Sequence, residues 1–513
     1  MSEDRHTHTT AWLPDLLYTG GRFESGLALL ADRAGRITQL TRDVESIAAP
    51  PARIMRLAGR ALLPGLVNAH SHAFQRVIRG RTEHRSSAAH DSFWTWREMM
   101  YRAATRLTPE QIYDASRMAF LEMAVSGITA VGEFHYLHHA PDGRRYSDEN
   151  ELAKQVIRAA RDVGLRIALL RVAYARAGWN TPPNERQARF IERDAAAFLK
   201  QTETLKDDLA REASDNARTQ GDVGGDGADL RSAWVGVAPH SVRAVPLEYL
   251  REVNAFAAAH DATPVHMHVA EQPAEVAACL EEHGRTPVAF LADEGLLSDR
   301  FTAVHAVHIT PEEAHSLARA SAHVCACPTT ERNLGDGVVP ADLLMRVGVP
   351  ISLGTDSHTQ IDLLEDAREL EYHLRLQKLE RAVLAPQEAG ALTEETTAEP
   401  TARAADTDSN DLASLAARLF DCATTSGANS IGATGDGALA VGSPADFFTV
   451  ALNDLSIAGA CEDDLLPAIV FSLARTAVRD VVVGGRRIVE DGHHPASGDI
   501  ITRFTRLQRS LWK

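Results

Sequence analysis

The chain has 513 residues, enough for one large α/β domain and a smaller companion. Apolar residues make up 44% of it and charged residues 24%, which are the proportions of an ordinary globular protein. Its 53 basic and 70 acidic side chains give a formal net charge of −17. This charge argues against nucleic acid or an anionic membrane as a partner, because both require a basic surface. A small anionic substrate stays compatible with it, since a few buried arginines can make a locally positive pocket.

The remaining global features indicate a cytoplasmic protein. Five cysteines are too few for a disulfide framework and indicate reduced thiols. Cys325 and Cys327 lie two apart, but without a second pair they are interpreted as buried strand residues rather than a zinc site. No apolar run approaches the roughly 18 residues of a membrane span. The polar N-terminus lacks the apolar stretch of a signal peptide, and its His6 and His8 are interpreted as part of a disordered leader.

Taken in chain order, residues 10–60 consist of short strands separated by Gly and Asp turns. From residue 60 to residue 357, short β-rich apolar runs then alternate with longer helical stretches. Near-continuous apolar runs are typical of parallel strands that are buried on both faces. Eight such units predict a (β/α)₈ TIM-type barrel. The runs are ALLPGLVNAHSH (61–72), ITAVGEFHY (128–136), LRIALLRVAY (165–174), AWVGVAPHS (233–241), TPVHMHVAE (263–271), TAVHAVHI (302–309), AHVCACP (322–328) and PISLGTDS (350–357).

Polar side chains collect at the C-terminal ends of these runs, which form the mouth of such a barrel, where active sites lie. A random set of core histidines would not concentrate there. The residues in question are His70, His72, Glu133, His135, His240, His268, Glu271, His305 and Asp356.

After the barrel, residues 436–495 return to short strands with Gly and Asp turns. We expect them to pair with the N-terminal strands in a small β-sandwich domain built from both chain ends. The predicted organisation is therefore residues 1–60 and 436–513 in the small domain and residues 61–435 in the barrel. Two polar, acidic segments, 203–231 and 386–411, are interpreted as inserted mobile surface loops, the first of them partly helical.

Histidine spacing indicates a metal site. Because residues two apart in a strand point to the same face, His70 and His72 can bind one ion together. His266 and His268 repeat this spacing at the fifth strand, and Asp356 follows the last strand. Three imidazoles and one carboxylate suit zinc and leave a position for water. The alternative is that these are buried histidines whose hydrogen bonds only stabilise the fold. Their position at one end of the barrel disfavours it.

These residues also carry a family resemblance. PGLVNAHSH, HVAE, VHAVH and GTDS, in that order, resemble the amidohydrolase superfamily in its mononuclear deaminase branch, and GSPADFFTV and VVVGGRRIVEDG resemble its small β-domain. The resemblance implies His70, His72, His268 and Asp356 as the ligands of one zinc ion per chain, and a homodimer. The dinuclear branch has a lysine on the fourth strand, whereas AWVGVAPHS has none.

The same residues suggest a division of catalytic work. Zinc lowers the pKa of bound water, and Asp356 can accept the proton which that water loses. Glu271, three residues after His268, can pass a proton to the substrate nitrogen, and His305 can stabilise the tetrahedral intermediate. His308 should point to the opposite face from His305 and is expected to be structural.

The loops at the barrel mouth narrow the substrate class. HSHAFQRVIRGRTEHR, DSFWTWREMMY, GEFHYLHH, PHSVRAV and CPTTERNLGDG resemble the formimidoylglutamate deiminase family of L-histidine degradation, which converts N-formimidoyl-L-glutamate to N-formyl-L-glutamate and ammonia. Arginine can grip a carboxylate with two hydrogen bonds, and this substrate has two carboxylates. The resemblance assigns the substrate-binding residues as follows: Gln75, Arg97, Tyr136, His240 and Arg243. Three nearby arginines are expected to be mostly structural: Arg76, Arg79 and Arg81.

Two alternatives stay open at this point. A related deaminase acting on a nucleobase or another cyclic amidine would need an apolar slot and amide donors rather than two arginines. A non-catalytic scaffold with the same fold would have lost metal ligands, whereas every expected ligand is present here.

Overall fold

The computed structural model describes residues 10–44, 51–84, 91–182, 184–219, 232–386, 409–433 and 435–513. His6 and His8 lie outside the described residues. The strands are β1 Thr10–Thr19, β2 Arg22–Ser25, β3 Ala28–Ala31, β4 Ile37–Thr41, β5 Arg53–Pro64, β6 Leu66–Ser71, β7 Ile128–His135, β8 Arg166–Ala173, β9 Ala233–Pro239, β10 Val265–Val269, β11 Phe301–His305, β12 His323–Ala326, β13 Ile351–Leu353, β14 Phe447–Ala451, β15 Val478–Val483 and β16 Arg486–Val489.

Helices connect the strands. They are α1 Phe93–Ala104, α2 Pro109–Ala124, α3 Glu151–Val163, α4 Ala195–Thr219, α5 Leu247–Ala259, α6 Pro273–His283, α7 Pro287–Asp293, α8 Pro311–Arg319, α9 Pro328–Leu334, α10 Ala341–Arg346, α11 Leu363–Lys378, α12 Ser409–Cys422, α13 Thr425–Ser430, α14 Leu465–Ser472 and α15 Ser497–Leu511. Short 3₁₀ turns cover Ala73–Ile78, Glu185–Gln187 and Arg475–Ala477.

The predicted barrel is confirmed. Strands β6 to β13 pair in chain order, each parallel to the next, and nearly every residue in them is buried. The last strand meets the first through a parallel bridge between Ser71 and Asp356. At this seam the Asp356 N–H donates to the carbonyl of His70 over 3.0 Å, and the His72 N–H donates to the carbonyl of Asp356 over 3.1 Å. The seam therefore places the first and last strand ends side by side.

Two glycines allow close backbone approach around this seam. A Cβ on Gly354 would lie 2.7 Å from the His70 Cβ, so the glycine before Thr355 lets the last strand close against the first. The run 61–72 was predicted to be one strand, but it breaks at Gly65. A Cβ at that position would lie 2.2 Å from Thr129 Oγ1. Residues before this break belong to β5 in the small sheet, and residues after it form β6 in the barrel.

The small sheet draws strands from both chain ends, as predicted. Its order is β16-β15-β14-β5-β1-β3-β4, with β2 paired to β1. Most pairs are antiparallel, but β1 and β5 run parallel with a register shift between Pro14 and Leu16. One apolar cluster includes Trp12 against Phe447, whose ring centroids lie 5.2 Å apart. Helix α15 leaves this sheet and packs against the barrel helix α2.

The first predicted insert is partly helical, as expected. Residues 203–219 are the second part of the 25-residue helix α4, which begins before the predicted insert. Leu205 and Leu209, four residues apart, bury one face of this helix despite its acidic composition. Residues 220–231 and 387–408 lie outside the described part of the chain, and α12 begins at Ser409. Within the described ranges, none of the helices combines the length and the apolar character needed to cross a membrane.

Candidate active site

Four side chains meet at the C-terminal mouth of the barrel. His70 and His72 come from the end of β6, His268 from β10, and Asp356 from the residues after β13. The Nε2 atom of His70 lies 3.2 Å from His72 Nε2 and 3.1 Å from His268 Nε2. The Asp356 Oδ1 atom lies 3.4 Å from His70 Nε2 and 3.1 Å from His72 Nε2. The structure thus brings the four predicted ligands together.

This arrangement fits a bound cation. A neutral imidazole carries one N–H. The Nε2 atoms of His70, His72 and His268, which lie close together, therefore cannot all find partners by hydrogen-bonding to one another. All four side chains are buried, which makes the crowded lone pairs costly without a cation between them. Four ligands placed tetrahedrally at zinc's usual bond lengths are about 3.3 Å apart, close to the separations of 3.1–3.4 Å found here.

Surrounding contacts prepare the ligands to bind a cation. His72 Nδ1 lies 2.9 Å from the carbonyl of Phe134, so Nδ1 carries the proton and Nε2 offers its lone pair to the centre. Burial lowers the pKa of His70 to about 3, which keeps its ring neutral. Burial alone would raise the pKa of Asp356, but His70 and His72 outweigh it and hold that pKa well below its usual range.

The second histidine pair is divided between two tasks. His266, two residues before His268, turns its Nε2 to the carbonyl of Ser430 on α13 at 2.7 Å and stays outside the cluster.

Glu133, near the end of β7, holds the residues around the β6 ligands in place. It accepts hydrogen bonds from Ser71 Oγ at 2.5 Å and from the Ala73 N–H at 2.7 Å.

Glu271 and His305 face the four-residue cluster. His305 Nε2 lies 3.8 Å from Glu271 Oε1 and 3.9 Å from Asp356 Oδ2. On its other side, His305 Nδ1 lies 3.2 Å from Glu331 Oε1, which also accepts the Cys327 N–H at 2.8 Å. His305 and Asp356 have φ values of 72° and 43°, a region that residues other than glycine rarely adopt. Such strain concentrates at functional sites.

Buried charges set the protonation of this pair. Burial raises the pKa of Glu271 above its usual value. For His305, burial acts to lower the pKa, but the negative charges of Glu271, Glu331 and Asp356 outweigh it and raise the pKa well above the ordinary value. The pair can therefore hold a proton close to the cluster. His308 does not belong to this pair. Its Nε2 lies 2.9 Å from the backbone carbonyl of Asp336, a contact that agrees with the structural part predicted for it.

A pocket opens above the cluster, and His72, His268, Glu271, His305 and Asp356 line its floor. Among its walls, Gln75 Nε2 donates to Tyr136 Oη over 2.8 Å, and the His240 ring packs between Tyr174 and His268 at centroid distances of 4.6 and 4.9 Å. The structure places every predicted substrate-binding residue on this pocket: Gln75, Arg97, Tyr136, His240 and Arg243.

The two pocket arginines interact with pocket carboxylates only at a distance, Arg97 with Glu271 and Arg243 with Glu275. Among the described residues, no ion pair joins Arg97 or Arg243 to a carboxylate. The Arg97 guanidinium lies 4.4 Å from the Trp94 ring centroid and 5.4 Å from that of Tyr101, and its Nε is buried without a hydrogen-bond partner. Arg243 Nη1 donates to the carbonyl of Ala177 at 3.0 Å. Burial lowers the pKa of Arg97, and the charge of Arg243 lowers it further.

The nearby arginines contact helix α2 or the C-terminal end of the chain, which agrees with the structural part predicted for them. Arg76 Nε and Arg79 Nη1 bind the two carboxylate oxygens of Glu122 at 2.5 and 2.6 Å. Arg81 lies over the Trp512 ring at 4.7 Å. All three hold the loop after β6 against helices α2 and α15, so they have structural partners.

Sequence reasoning missed several residues of the site. Tyr101 and Tyr174 line the pocket, and Gln187 Nε2 donates to both hydroxyls, at 3.0 and 2.6 Å. Glu275 also lines it, and Glu331 supports His305 from behind. Helical spacing was the available signal, because Tyr101 is four residues after Arg97 on α1. Cys325 is a buried strand residue as predicted, whereas the buried Cys327 lies just past the strand and begins α9.

The chain is similar to known proteins over most of its length. The amidohydrolase family model matches residues 61–488. A formimidoylglutamate deiminase of Pseudomonas aeruginosa is 38% identical over 437 residues, which cover 85% of this chain and 86% of the relative. An 8-oxoguanine deaminase of the same organism is 27% identical over 481 residues, 93% of each chain.

Structural similarity extends over the whole architecture. The crystal structure of an amidohydrolase from Brucella melitensis superposes with a TM-score of 0.82 at 31% sequence identity, covering 98% of this chain and 100% of that one. The match includes both the barrel and the small sheet. The chain therefore belongs to the amidohydrolase family and is a hydrolase that acts on carbon–nitrogen bonds other than peptide bonds.

Proposed function

We propose that this enzyme hydrolyses N-formimidoyl-L-glutamate to N-formyl-L-glutamate and ammonia, in L-histidine degradation, with one zinc ion per chain. The observation that carries the proposal is the pair Arg97 and Arg243, two half-buried cations on the pocket that make no ion pair with a carboxylate of the described residues. A substrate with two carboxylates would supply the missing partners. The 38% identity to a formimidoylglutamate deiminase supports the same substrate.

Zinc is favoured over other divalent ions by its ligands. Three imidazole nitrogens and one carboxylate match zinc's preference for nitrogen and oxygen donors, whereas magnesium and calcium prefer oxygen alone. When bound by His70, His72, His268 and Asp356, zinc lowers the pKa of a water molecule so that hydroxide is available near neutral pH.

The protein side chains would then handle the protons. Asp356 accepts a proton from the attacking water, whose oxygen bonds to the amidine carbon. His305 Nε2 donates a hydrogen bond to that oxygen as negative charge develops on it. Glu271 delivers to the terminal nitrogen both protons that the water loses, one taken up by Asp356 on attack and one from the hydroxyl of the tetrahedral intermediate. The bond between carbon and this nitrogen then breaks, its electron pair leaves with the nitrogen as ammonia, and the carbon–oxygen double bond of the formyl group forms. Water and the amidine are thereby converted to the formyl amide and ammonia, with atoms and protons balanced.

The competing substrate class is a nucleobase or another cyclic amidine, as in the 8-oxoguanine deaminase relative. A neutral purine would leave Arg97 and Arg243 desolvated without a counter-charge, which is unfavourable. The pocket arginines therefore favour the dicarboxylate. The non-catalytic scaffold is disfavoured because the four predicted ligands converge.

An ammonia-release assay tests the proposal. Purified protein is offered N-formimidoyl-L-glutamate, N-formimidoyl-L-aspartate, guanine and 8-oxoguanine under identical conditions. We expect the glutamate derivative to have the highest kcat/KM, with the aspartate derivative lower because its side chain is one methylene shorter. A higher kcat/KM for either purine would contradict the assignment.

We further propose that the enzyme is a cytoplasmic homodimer. The reduced-thiol composition supports the compartment, and the family resemblance supports the dimer. Light scattering coupled to size-exclusion chromatography should give twice the chain mass of 55.7 kDa. A monomer mass would contradict the assembly and leave the chemistry unaffected.

A further inference from the structure

Glu275 is a buried pocket carboxylate to which the catalytic scheme gives no task. It lies in the first turn of α6, four residues after Glu271, and its relative exposure is 6%. One carboxylate oxygen, Oε2, accepts the backbone N–H of Glu271 at 3.1 Å. The other oxygen, Oε1, is buried and has no hydrogen-bond partner among the described residues. A buried acceptor of this kind is costly unless a ligand satisfies it.

Helix capping explains half of this carboxylate. An acidic side chain in the first turn is stabilised by the helix dipole and by accepting a backbone N–H that precedes the helix. Oε2 meets that requirement through the Glu271 N–H. Capping needs one oxygen and gives no reason for the second oxygen of a residue that lines the pocket to be buried without a partner.

The charges around Glu275 match a zwitterionic ligand. Arg243 lines the same pocket and interacts electrostatically with Glu275, yet no ion pair joins the two side chains. The pocket therefore offers both a cation and a carboxylate oxygen that has no hydrogen-bond partner among the described residues. Amidines are strong bases and are protonated near neutral pH, so the proposed substrate presents an N–H donor with positive charge next to a carboxylate.

We propose that Glu275 Oε1 accepts a hydrogen bond from the internal N–H of the bound amidine, while Arg243 binds the α-carboxylate. This inference rests on the proposed function. In N-formimidoyl-L-glutamate the internal nitrogen and the α-carboxylate are attached to the same carbon, so a neighbouring acceptor and cation can bind both groups at once. Glu275 thus selects the amino-acid portion of the substrate, and Arg97 is left to the side-chain carboxylate.

The variant Glu275→Gln tests this assignment. Glutamine has one acceptor oxygen, and if the Glu271 N–H keeps it, an NH₂ donor faces the substrate N–H. We expect kcat/KM for N-formimidoyl-L-glutamate to fall at least about tenfold, the scale of one lost hydrogen bond to a charged group. Glu281→Gln is the matched control, because it removes the same charge from an exposed position on α6 and should retain wild-type kcat/KM.

A substrate methylated on the internal nitrogen separates recognition from capping. It has no internal N–H, so Glu275→Gln should cause little further loss with it. Equal losses on both substrates would show that Glu275 acts through the position of Glu271, and would overturn the proposal. Absence of wild-type turnover of N-formimidoyl-L-glutamate itself would instead overturn the proposed function.

A binding measurement on the wild-type protein covers the case in which the variant fails to fold. N-formyl-L-glutamate, the proposed product, keeps the internal N–H, and its N-methyl derivative lacks it. We expect the methylated compound to inhibit at least about tenfold more weakly. Equal inhibition constants for the two compounds would mean that no acceptor of the protein binds the internal N–H, which would also overturn the proposal.

Discussion

Neutralising a pocket arginine tests whether recognition is separate from chemistry. Arg97→Met and Arg243→Met keep much of the side-chain length and remove the charge. The proposed catalytic steps need the metal centre, Glu271 and His305, so neither variant should change the metal content. Arg102→Met is a matched control, because Arg102 lies exposed on the same helix as Arg97 and does not line the pocket.

The expected loss in kcat/KM follows from the surroundings of Arg97 and Arg243. Arg97 is stacked between aromatic rings with a buried Nε, and no acidic residue among the described ones pairs with it or with Arg243. A substrate carboxylate bound there loses its water and depends on the guanidinium alone. Removing one partner of such a desolvated pair costs roughly 2–5 kcal/mol. The lower bound corresponds to a loss of about 30-fold in kcat/KM.

The assay compares two substrates under steady-state conditions. N-formimidoyl-L-glutamate carries both carboxylates, whereas formimidoyl 4-aminobutyrate lacks the α-carboxylate. Both variants should lose at least about 30-fold on the first substrate. On the second, Arg243→Met should cause little further loss, because the carboxylate assigned to it is already gone. If both variants showed the same penalty on both substrates, neither arginine would bind that carboxylate and the reasoning would fail.

Three further predictions concern the metal, the proton shuttle and the fold. His70→Ala and Asp356→Ala should abolish turnover and lower zinc content from about one per chain, while two zinc ions per wild-type chain by elemental analysis would contradict the mononuclear site. Glu271→Gln should retain zinc and lose at least ~10²-fold in kcat, and a wild-type rate would make Glu271 structural. Glu122→Ala removes the carboxylate that Arg76 and Arg79 share, so chemical denaturation should show a loss of about 3 kcal/mol in the free energy of unfolding. An unchanged denaturation midpoint would contradict this prediction.

Much of the fold was predictable because the barrel strands are buried on both faces. Their apolar runs stand out from the helical segments, and the eight runs led to the eight barrel strands. The run 61–72 was misleading because apolar residues continue through two strands of different sheets, and the break between them is visible only in the pairing of β5 and β6. The acidity of residues 203–231 predicted a surface loop that is only partly helical, and Leu205 and Leu209 show how the helical part buries one face.

The candidate site divided along similar lines. His70, His72, His268 and Asp356 lie at or just past the C-terminal ends of barrel strands, so strand alternation and barrel topology predict that they converge. Residues that act from helices or from behind the strands carry no such local signal. Glu331 reaches His305 across 26 positions, and Glu275 combines helix capping with a pocket position. Their tasks become visible once three-dimensional distances are known.

The barrel seam has a consequence for how the enzyme acquires its metal. His70 and Asp356 belong to the first and last barrel strands, and their backbones are hydrogen-bonded to each other. During synthesis the histidines leave the ribosome long before the aspartate, so the complete set of ligands exists only after the whole barrel sequence has emerged. Contacts between such distant segments form late in folding. An ion that binds all four ligands should therefore hold the finished barrel shut, and a chelator should first loosen the seam between β6 and β13.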